Sequence, residues 1–286
     1  MMQPATTRPT ADELRARFNP EGSLLRRHQM KMLEMVTLLD RVCRKHGIRY
    51  FLYGGTLLGA LRHNGFIPWD DDLDVGLLRD DYNRLMKVLP AELPANMSLQ
   101  TNDSDPNYFY FFAKLRDRDS ILEEPSPYDQ VFRERGIYID IFPFERQTLW
   151  THLLAEPLQA HCFKIFRTAQ NRQRAMRRIR LITWFNRHIT FPLLRFVSRI
   201  TFGRTLTYSY GIPFHIIYDE RDIFPLTTHD FEGVQLSVPR DADHMLRSQF
   251  GDYMQLPDLE KVGGDHVVNL TFRPSPDGPE PELPDC

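Results

Sequence analysis

The sequence predicts an α/β domain with a basic helical insertion, and three observations carry that expectation. Apolar positions recur at helical spacing from Leu24 to His46, with Met32, Val36, Leu39 and Cys43 on one face. Three β-prone runs, residues 48–53, 70–78 and 136–143, alternate with helical stretches. Between Pro157 and Tyr218 the chain carries eleven Lys and Arg and no Asp or Glu, which sets a basic segment apart from the rest.

Residues 1–22, with Pro4, Pro9 and Pro20 among scattered charges, read as a flexible arm. Residues 23–145 are expected to form a catalytic core. Its first helix should stop at Gly47. The run 48–53 ends in Gly54-Gly55, and a short helix follows that Thr56 is placed to cap. Glycines at such a turn let backbone N–H groups approach a phosphate, and the helix start adds a favourable dipole. A lone Gly-Gly turn is ordinary; the acidic strand that follows gives this one weight. Asn64-Gly65 should close the helix in a left-handed cap.

Asp72 and Asp74 stand two apart in what reads as a strand, so both carboxylates leave one face with Cβ atoms roughly 6–7 Å apart. Asp70 shares their parity. No Lys or Arg falls between Arg62 and Arg79 to supply a countercharge. Two carboxylates about 4 Å apart repel by roughly 4 kcal/mol at an effective dielectric near 20. Either one is protonated or a cation sits between them. A divalent metal is the simpler answer, and oxygen ligands favour Mg²⁺ or Mn²⁺. The competing reading is a solvated acidic turn.

The run 136–143 is an apolar strand with one carboxylate, Asp140, which is costly to bury alone. Pro143 is expected to end its pairing. Asp140 either caps the strand end or, beside the first acidic strand, completes a three-carboxylate nest. Around these, Asp80 or Asp81 should start a helix ending near Pro90. Residues 108–116 read as a strand with Lys114 and Arg116 on one face. That pair is either a set of cationic phosphate contacts or an exposed basic edge.

The remaining boundaries are an Arg-rich helical insertion over 146–220, split by Pro192, and a C-terminal part of the core over 221–258. That part contains a strand at Val234–Val238 and a helix capped by Asp241 and ending at Phe250. Residues 259–286 form a Pro- and acid-rich tail, expected to be mobile beyond about Arg273.

Residues 50–60, Tyr-Phe-Leu-Tyr-Gly-Gly-Thr-Leu-Leu-Gly-Ala, the run through Asp74, and 136–143, Gly-Ile-Tyr-Ile-Asp-Ile-Phe-Pro, together resemble the LicD family. Asp230-Phe231-Glu232-Gly233, Val238-Pro239 and residues 250–254 resemble its closing motif. The family includes bacterial phosphorylcholine transferases and is similar to fukutin and fukutin-related protein. The resemblance implies a nucleotidyltransferase-type mixed sheet flanked by helices. It also implies a phosphotransferase that moves phosphocholine or a polyol phosphate from a CDP-linked donor to a cell-surface glycan or glycolipid precursor, releasing CMP. By the same resemblance Asp70, Asp72, Asp74 and Asp140 are the metal-binding set. The charges suggest a mechanism in which Asp72, Asp74 and Asp140 carry catalysis, Asp140 either receiving the acceptor hydroxyl's proton or serving as a pure ligand. Gly54, Gly55 and Thr56 would cradle the donor's phosphates, and Lys114 and Arg116 would add cationic contacts. The cysteine zinc site of the fukutin relatives has no counterpart among three scattered cysteines.

The transferred alcohol stays open. Choline needs an aromatic wall, for which Trp69, Tyr110 and Tyr138 are candidates, although core packing explains such rings as well. A polyol would want polar partners such as His63 and Asn64. Two other classes compete: a nucleotidyltransferase using a nucleoside triphosphate on a small molecule or protein, and a non-catalytic glycan-assembly scaffold.

Cys43, Cys162 and Cys286 suit a reducing compartment rather than a disulfide framework. The amino terminus lacks a secretory signature, and no apolar window reaches the roughly twenty residues that span a bilayer. The expectation is a cytoplasmic enzyme, peripheral at the inner membrane face. The basic stretch 162–204 suits an anionic membrane surface or a lipid-linked glycan acceptor; a helical lid paired with the acidic core is its rival. Nucleic acid is disfavoured, because the rest of the chain is acidic.

Overall fold

The computed structural model describes residues 9–214, 216–262 and 269–273. Its first element corrects the expectation of a loose arm. Thr10 and Glu13 form a reciprocal capping box that opens helix α1 (Ala11–Phe18). Leu14 is buried, Arg15 pairs with Glu232, and the Phe18 ring meets Trp69 edge-on at 5.1 Å. Helix α2 (Leu24–His46) follows as predicted, capped by Ser23 and stopped by Gly47 at φ 58°. Its inward face, with Met32, Met35, Val36 and Leu39 fully buried, packs in the same core as Leu77, Ile139 and Ile141 of the sheet. Burying each such chain stabilises the fold by about 1.5–3 kcal/mol.

Strand β1 (Phe51–Leu52) leads into α3 (Gly54–His63), which ends at Asn64 in the left-handed region, φ 53°. Next come β2 (Asp74–Leu78), α4 (Arg79–Glu92), β3 (Met97–Gln100), β4 (Ala113–Asp117), β5 (Ser120–Glu123) and β6 (Tyr138–Gln147). The sheet order is β1-β2-β6-β4-β3, with β2 and β6 parallel and the other neighbours antiparallel. The chain is therefore α/β with a mixed sheet. Pro143 does not end pairing, as the sequence suggested. The β4 ladder leaves β6 at Ile141, and β7 (Thr205–Tyr208) joins it at Phe144, so the residue without an N–H falls in the seam between two partners.

The basic segment forms α5 (Leu149–Thr168), α6 (Arg172–Phe185), a π-helical turn (Asn186–Thr190) and α7 (Phe191–Ile200). Pro192 does not separate two helices. It sits in the first turn of α7, where its missing donor is tolerated. The expected helical stretch also contains β7, which returns the chain to the sheet. A second apolar cluster joins Cys162 and Phe166 of α5 to Met176 and Ile179 of α6 and to Tyr108 and Phe109. Those aromatics are occupied in packing, so the strand expected from residue 108 begins only at Ala113. Helix α8 (Glu220–Ile223), the hairpin β8 (Thr227–Phe231) and β9 (Val234–Val238), and α9 (Ala242–Phe250) complete the order. The last described strand, β10 (Asn269–Phe272), pairs with β5, so part of the presumed tail is structured. The stretch expected to be mobile, past Arg273, lies outside the described residues, as does Cys286.

Candidate active site

Two neighbouring parallel strands bring the acidic residues together. Asp74 opens β2 and is the register partner of Asp140 on β6. Asp70, Asp71 and Asp72 precede the ladder in extended chain rather than lying within a strand, which corrects the expectation for Asp72. The alternation nevertheless persists: Asp71 and Leu73 are buried while Asp72 is exposed and Asp70 and Asp74 half-buried. The even-numbered carboxylates therefore share a face.

That face looks onto the glycine turn. A Cβ on Gly55 would lie 3.2 Å from Asp70 Oδ2 and 4.0 Å from Asp72 Oδ1, and one on Gly54 would lie 3.8 Å from Asp74 Oδ2. Gly54 also holds φ 59°, where a side chain is strained. Both glycines are the first residues of α3, so Thr56 is not its cap. The Thr56 hydroxyl instead accepts a hydrogen bond from the Asp74 N–H at 2.8 Å, fixing the start of β2 against the helix. Gln29 of α2, fully buried, donates to the Asp70 carbonyl at 2.8 Å and holds the turn before it. Glu232, in the β8–β9 turn, accepts from the Phe66 N–H and pairs with Arg26 at 2.9 Å. Gln29 is not marked by local spacing, and Glu232 only by the closing-motif resemblance; both act across long sequence distances.

The electrostatics are those of crowded carboxylates. Burial, then repulsion from Asp72 and Asp71, pushes the Asp70 carboxyl up to about 8. Asp74 is held well above the usual carboxylate range by burial, then by Asp72 and Asp140. Asp140 is also raised by burial, against the pull of Lys114. Lys114 Nζ lies 2.7 Å from Asp140 Oδ1 and 3.1 Å from Oδ2, so the countercharge missing from the local sequence arrives from β4.

Lys114 and Arg116 are not an exposed basic edge, because β4 lies inside the sheet and both side chains are buried. The Arg116 guanidinium donates to Gln100 Oε1 at 2.8 Å and to the Gly136 carbonyl at 2.9 Å, so it does not face a phosphate site. Tyr138 carries Lys114 Nζ 3.3 Å from its ring centre and donates its hydroxyl to Glu124. Trp69 packs on Phe18 and His63, and Tyr110 on Phe109. These three rings are thus already engaged. Tyr53 and Tyr208 lie near enough to Asp74, and Tyr138 to Asp140, for burial and the carboxylate charge together to raise their phenols. Phe142 packs edge-on against Tyr53 and Tyr208, Phe112 stacks on Phe142 at 4.4 Å, and the half-exposed Phe214 is 5.2 Å from Tyr208. Of the polyol candidates, His63 is buried and accepts from Arg62 Nε at 2.8 Å, while Asn64 is exposed in the helix cap.

Among the described residues, no three acidic, imidazole or thiol groups are already drawn into a closed metal-ligand set. The donor chemistry still fits a hard divalent cation. Asp70, Asp72 and Asp74 put oxygens against a backbone-lined turn, and burial and mutual repulsion disfavour the charge on Asp70 and Asp74. A separate groove of about 1020 Å³ runs between α4, β3 and α7 and includes Arg79, Arg187 and Arg195. None of the four aspartates lines it; Phe112, 5.5 Å from Lys114 Nζ, stands between the two regions.

A family model described as LicD/FKTN/FKRP, nucleotidyltransferase domain, matches residues 47–196. The lipopolysaccharide cholinephosphotransferase LicD of Haemophilus influenzae is 27% identical over 256 residues, covering 85% of this chain and 96% of that protein. An uncharacterized protein of Rickettsia prowazekii is 52% identical over 61 residues, 21% of this chain and 23% of that protein. The human ribitol 5-phosphate transferase FKRP is 48% identical over 46 residues, 16% of this chain and 9% of that protein.

Proposed function

The chain belongs to the LicD/FKTN/FKRP nucleotidyltransferase-domain family, and from that premise we propose that it is a phosphotransferase of cell-surface glycan assembly. It moves a phosphorylated alcohol from a CDP-linked donor to a sugar hydroxyl on a glycan or lipid-linked glycan. The observation that carries this reading is the register pairing of Asp74 with Asp140 beside Asp70, Asp72 and the Gly54-Gly55 turn.

Asp70, Asp72 and Asp74, with Asp140 assisting, would hold Mg²⁺ or Mn²⁺. When bound, such an ion offsets negative charge on the donor's diphosphate. The backbone at Gly54 and Gly55 lets a phosphate approach without a side chain in the way. Asp140, raised by burial and oriented by Lys114, accepts the proton of the acceptor hydroxyl. The hydroxyl oxygen forms its bond to the distal phosphorus as the bridging P–O bond breaks, and CMP leaves with that electron pair. The likeness to the cholinephosphotransferase LicD, which spans 96% of that protein, favours choline over a polyol as the transferred alcohol.

The test is a thermal-shift panel of CDP-choline, CDP-ribitol, CDP-glycerol, ATP and CTP, each with and without Mg²⁺. CDP-choline with Mg²⁺ is expected to raise Tm most. Stabilisation by the triphosphates alone would replace this reading with nucleotidyl transfer.

A further inference from the structure

The helical segment carries apolar surface that packing does not use. Along α6, the π turn and α7, Leu181, Phe185, Ile189, Leu193, Phe196 and Ile200 are all exposed. Their spacing of four, four, four, three and four residues keeps them on one side of a continuous helical rod. The π turn contributes to that alignment. One extra residue in a wide turn takes up about 100° of rotation that a regular helix would have added. Trp184, 54% exposed, lies beside the stripe.

The stripe is extended by the start of α5. The Thr148 N–H donates to Ser198 Oγ at 2.9 Å, setting the first turn of α5, with exposed Leu149 and Trp150, against the end of α7. Leu153 and Leu154, one turn on, are half-exposed or more. Arg177, Arg178, Arg199 and Arg204 are exposed along the same helices and the loop that follows, and residues 157–218 contain no carboxylate. No helix among the described residues is long and apolar enough to cross a membrane.

We propose that this stripe seats the protein on the surface of an anionic lipid bilayer, lying in the interface plane. The charge pattern selects that occupant. A copy of the same surface would bring arginines against arginines, whereas an anionic headgroup layer meets them with opposite charge while the apolar side chains enter the acyl boundary. Tryptophan at both Trp150 and Trp184 suits the same boundary. Arg195 of α7 binds Glu145 at 2.8 Å, so the seat is fastened to β6, the strand that also carries Asp140. The proposal stands on exposure and charge alone and does not depend on the donor or acceptor chemistry.

The test is co-sedimentation of the full chain with vesicles of phosphatidylcholine, alone or mixed with phosphatidylglycerol, with tryptophan emission followed in parallel. The native chain is expected to pellet with the anionic vesicles, to shift its emission to the blue, and to bind the zwitterionic ones weakly. Leu193→Ser with Phe196→Ser should cut anionic-vesicle binding about tenfold with unchanged circular dichroism, both positions being exposed. Arg177→Gln with Arg178→Gln should weaken binding at about 0.1 M salt and make little difference at about 1 M. Three results would overturn the proposal: no pelleting of the native chain at about 0.1 M salt, native-like pelleting of the Leu193/Phe196 variant, or a native dimer that the same variant turns into a monomer.

Discussion

Asp74 and Asp140 stand side by side on two parallel strands, and only Asp140 has a lysine in contact. The pair is therefore unequal: Asp140 is oriented by an ion pair, while Asp74 is crowded by Asp72 and Asp140. Removing charge at the second position should relieve repulsion while destroying function. Asp74→Asn is expected to raise Tm in EDTA by about 2–4 °C and to lower transfer by about 10³-fold or more. Mg²⁺ should stabilise the native chain and leave the variant unmoved. A variant less stable than native in EDTA would contradict the crowding.

Lys114 is the counterpart case. Lys114→Met leaves Asp140 buried without its cation, and breaking a buried pair from one side costs about 3–5 kcal/mol. Urea unfolding should show that loss. A variant as stable as the native chain would mean that Asp140 is neutral in the fold.

Glu232 joins parts of the chain that are far apart in sequence. It is 5% exposed in its side chain, holds Arg15 and Arg26, and accepts from the Phe66 N–H ahead of the aspartates. Glu232→Ala should destabilise by about 3–5 kcal/mol and release α1. Limited proteolysis within residues 11–18 is the sharper readout, and unchanged cleavage there would dismiss the anchoring role.

His28, 2% exposed, has its imidazole lowered by burial from 6.5 to about 4. A depressed folded value means that the unfolded chain binds more protons between those limits. The stability His28 contributes is present above about pH 6.5 and is lost as pH falls toward 4, by about 3 kcal/mol in all. His28→Gln should flatten the pH dependence of unfolding over that window relative to native. Parallel native and variant curves would show the ring to be charged when folded.

What the sequence made legible was what local chemistry determines. Helix α2 with its Gly47 stop, the left-handed Asn64, strand β9 and the Asp241 cap on α9 all rest on signals a few residues wide. The pairing of the two acidic segments was readable from apolar runs that each carry carboxylates. Lys114 as partner to Asp140 was not, because a ladder over 26 residues apart decides it. Thr56 looked like a cap, and only the tertiary approach of β2 turns its hydroxyl toward the Asp74 N–H. The capping box at Thr10 and Glu13 was there to be found but was masked by neighbouring prolines and charges.

The wide turn at Asn186–Thr190 has one more consequence. It works as a phase corrector: were the same residues wound there as a regular helix, Leu193, Phe196 and Ile200 would swing roughly a quarter-revolution away from Leu181 and Phe185. Such a rewinding would leave composition and net charge untouched while splitting one greasy keel into two misaligned halves.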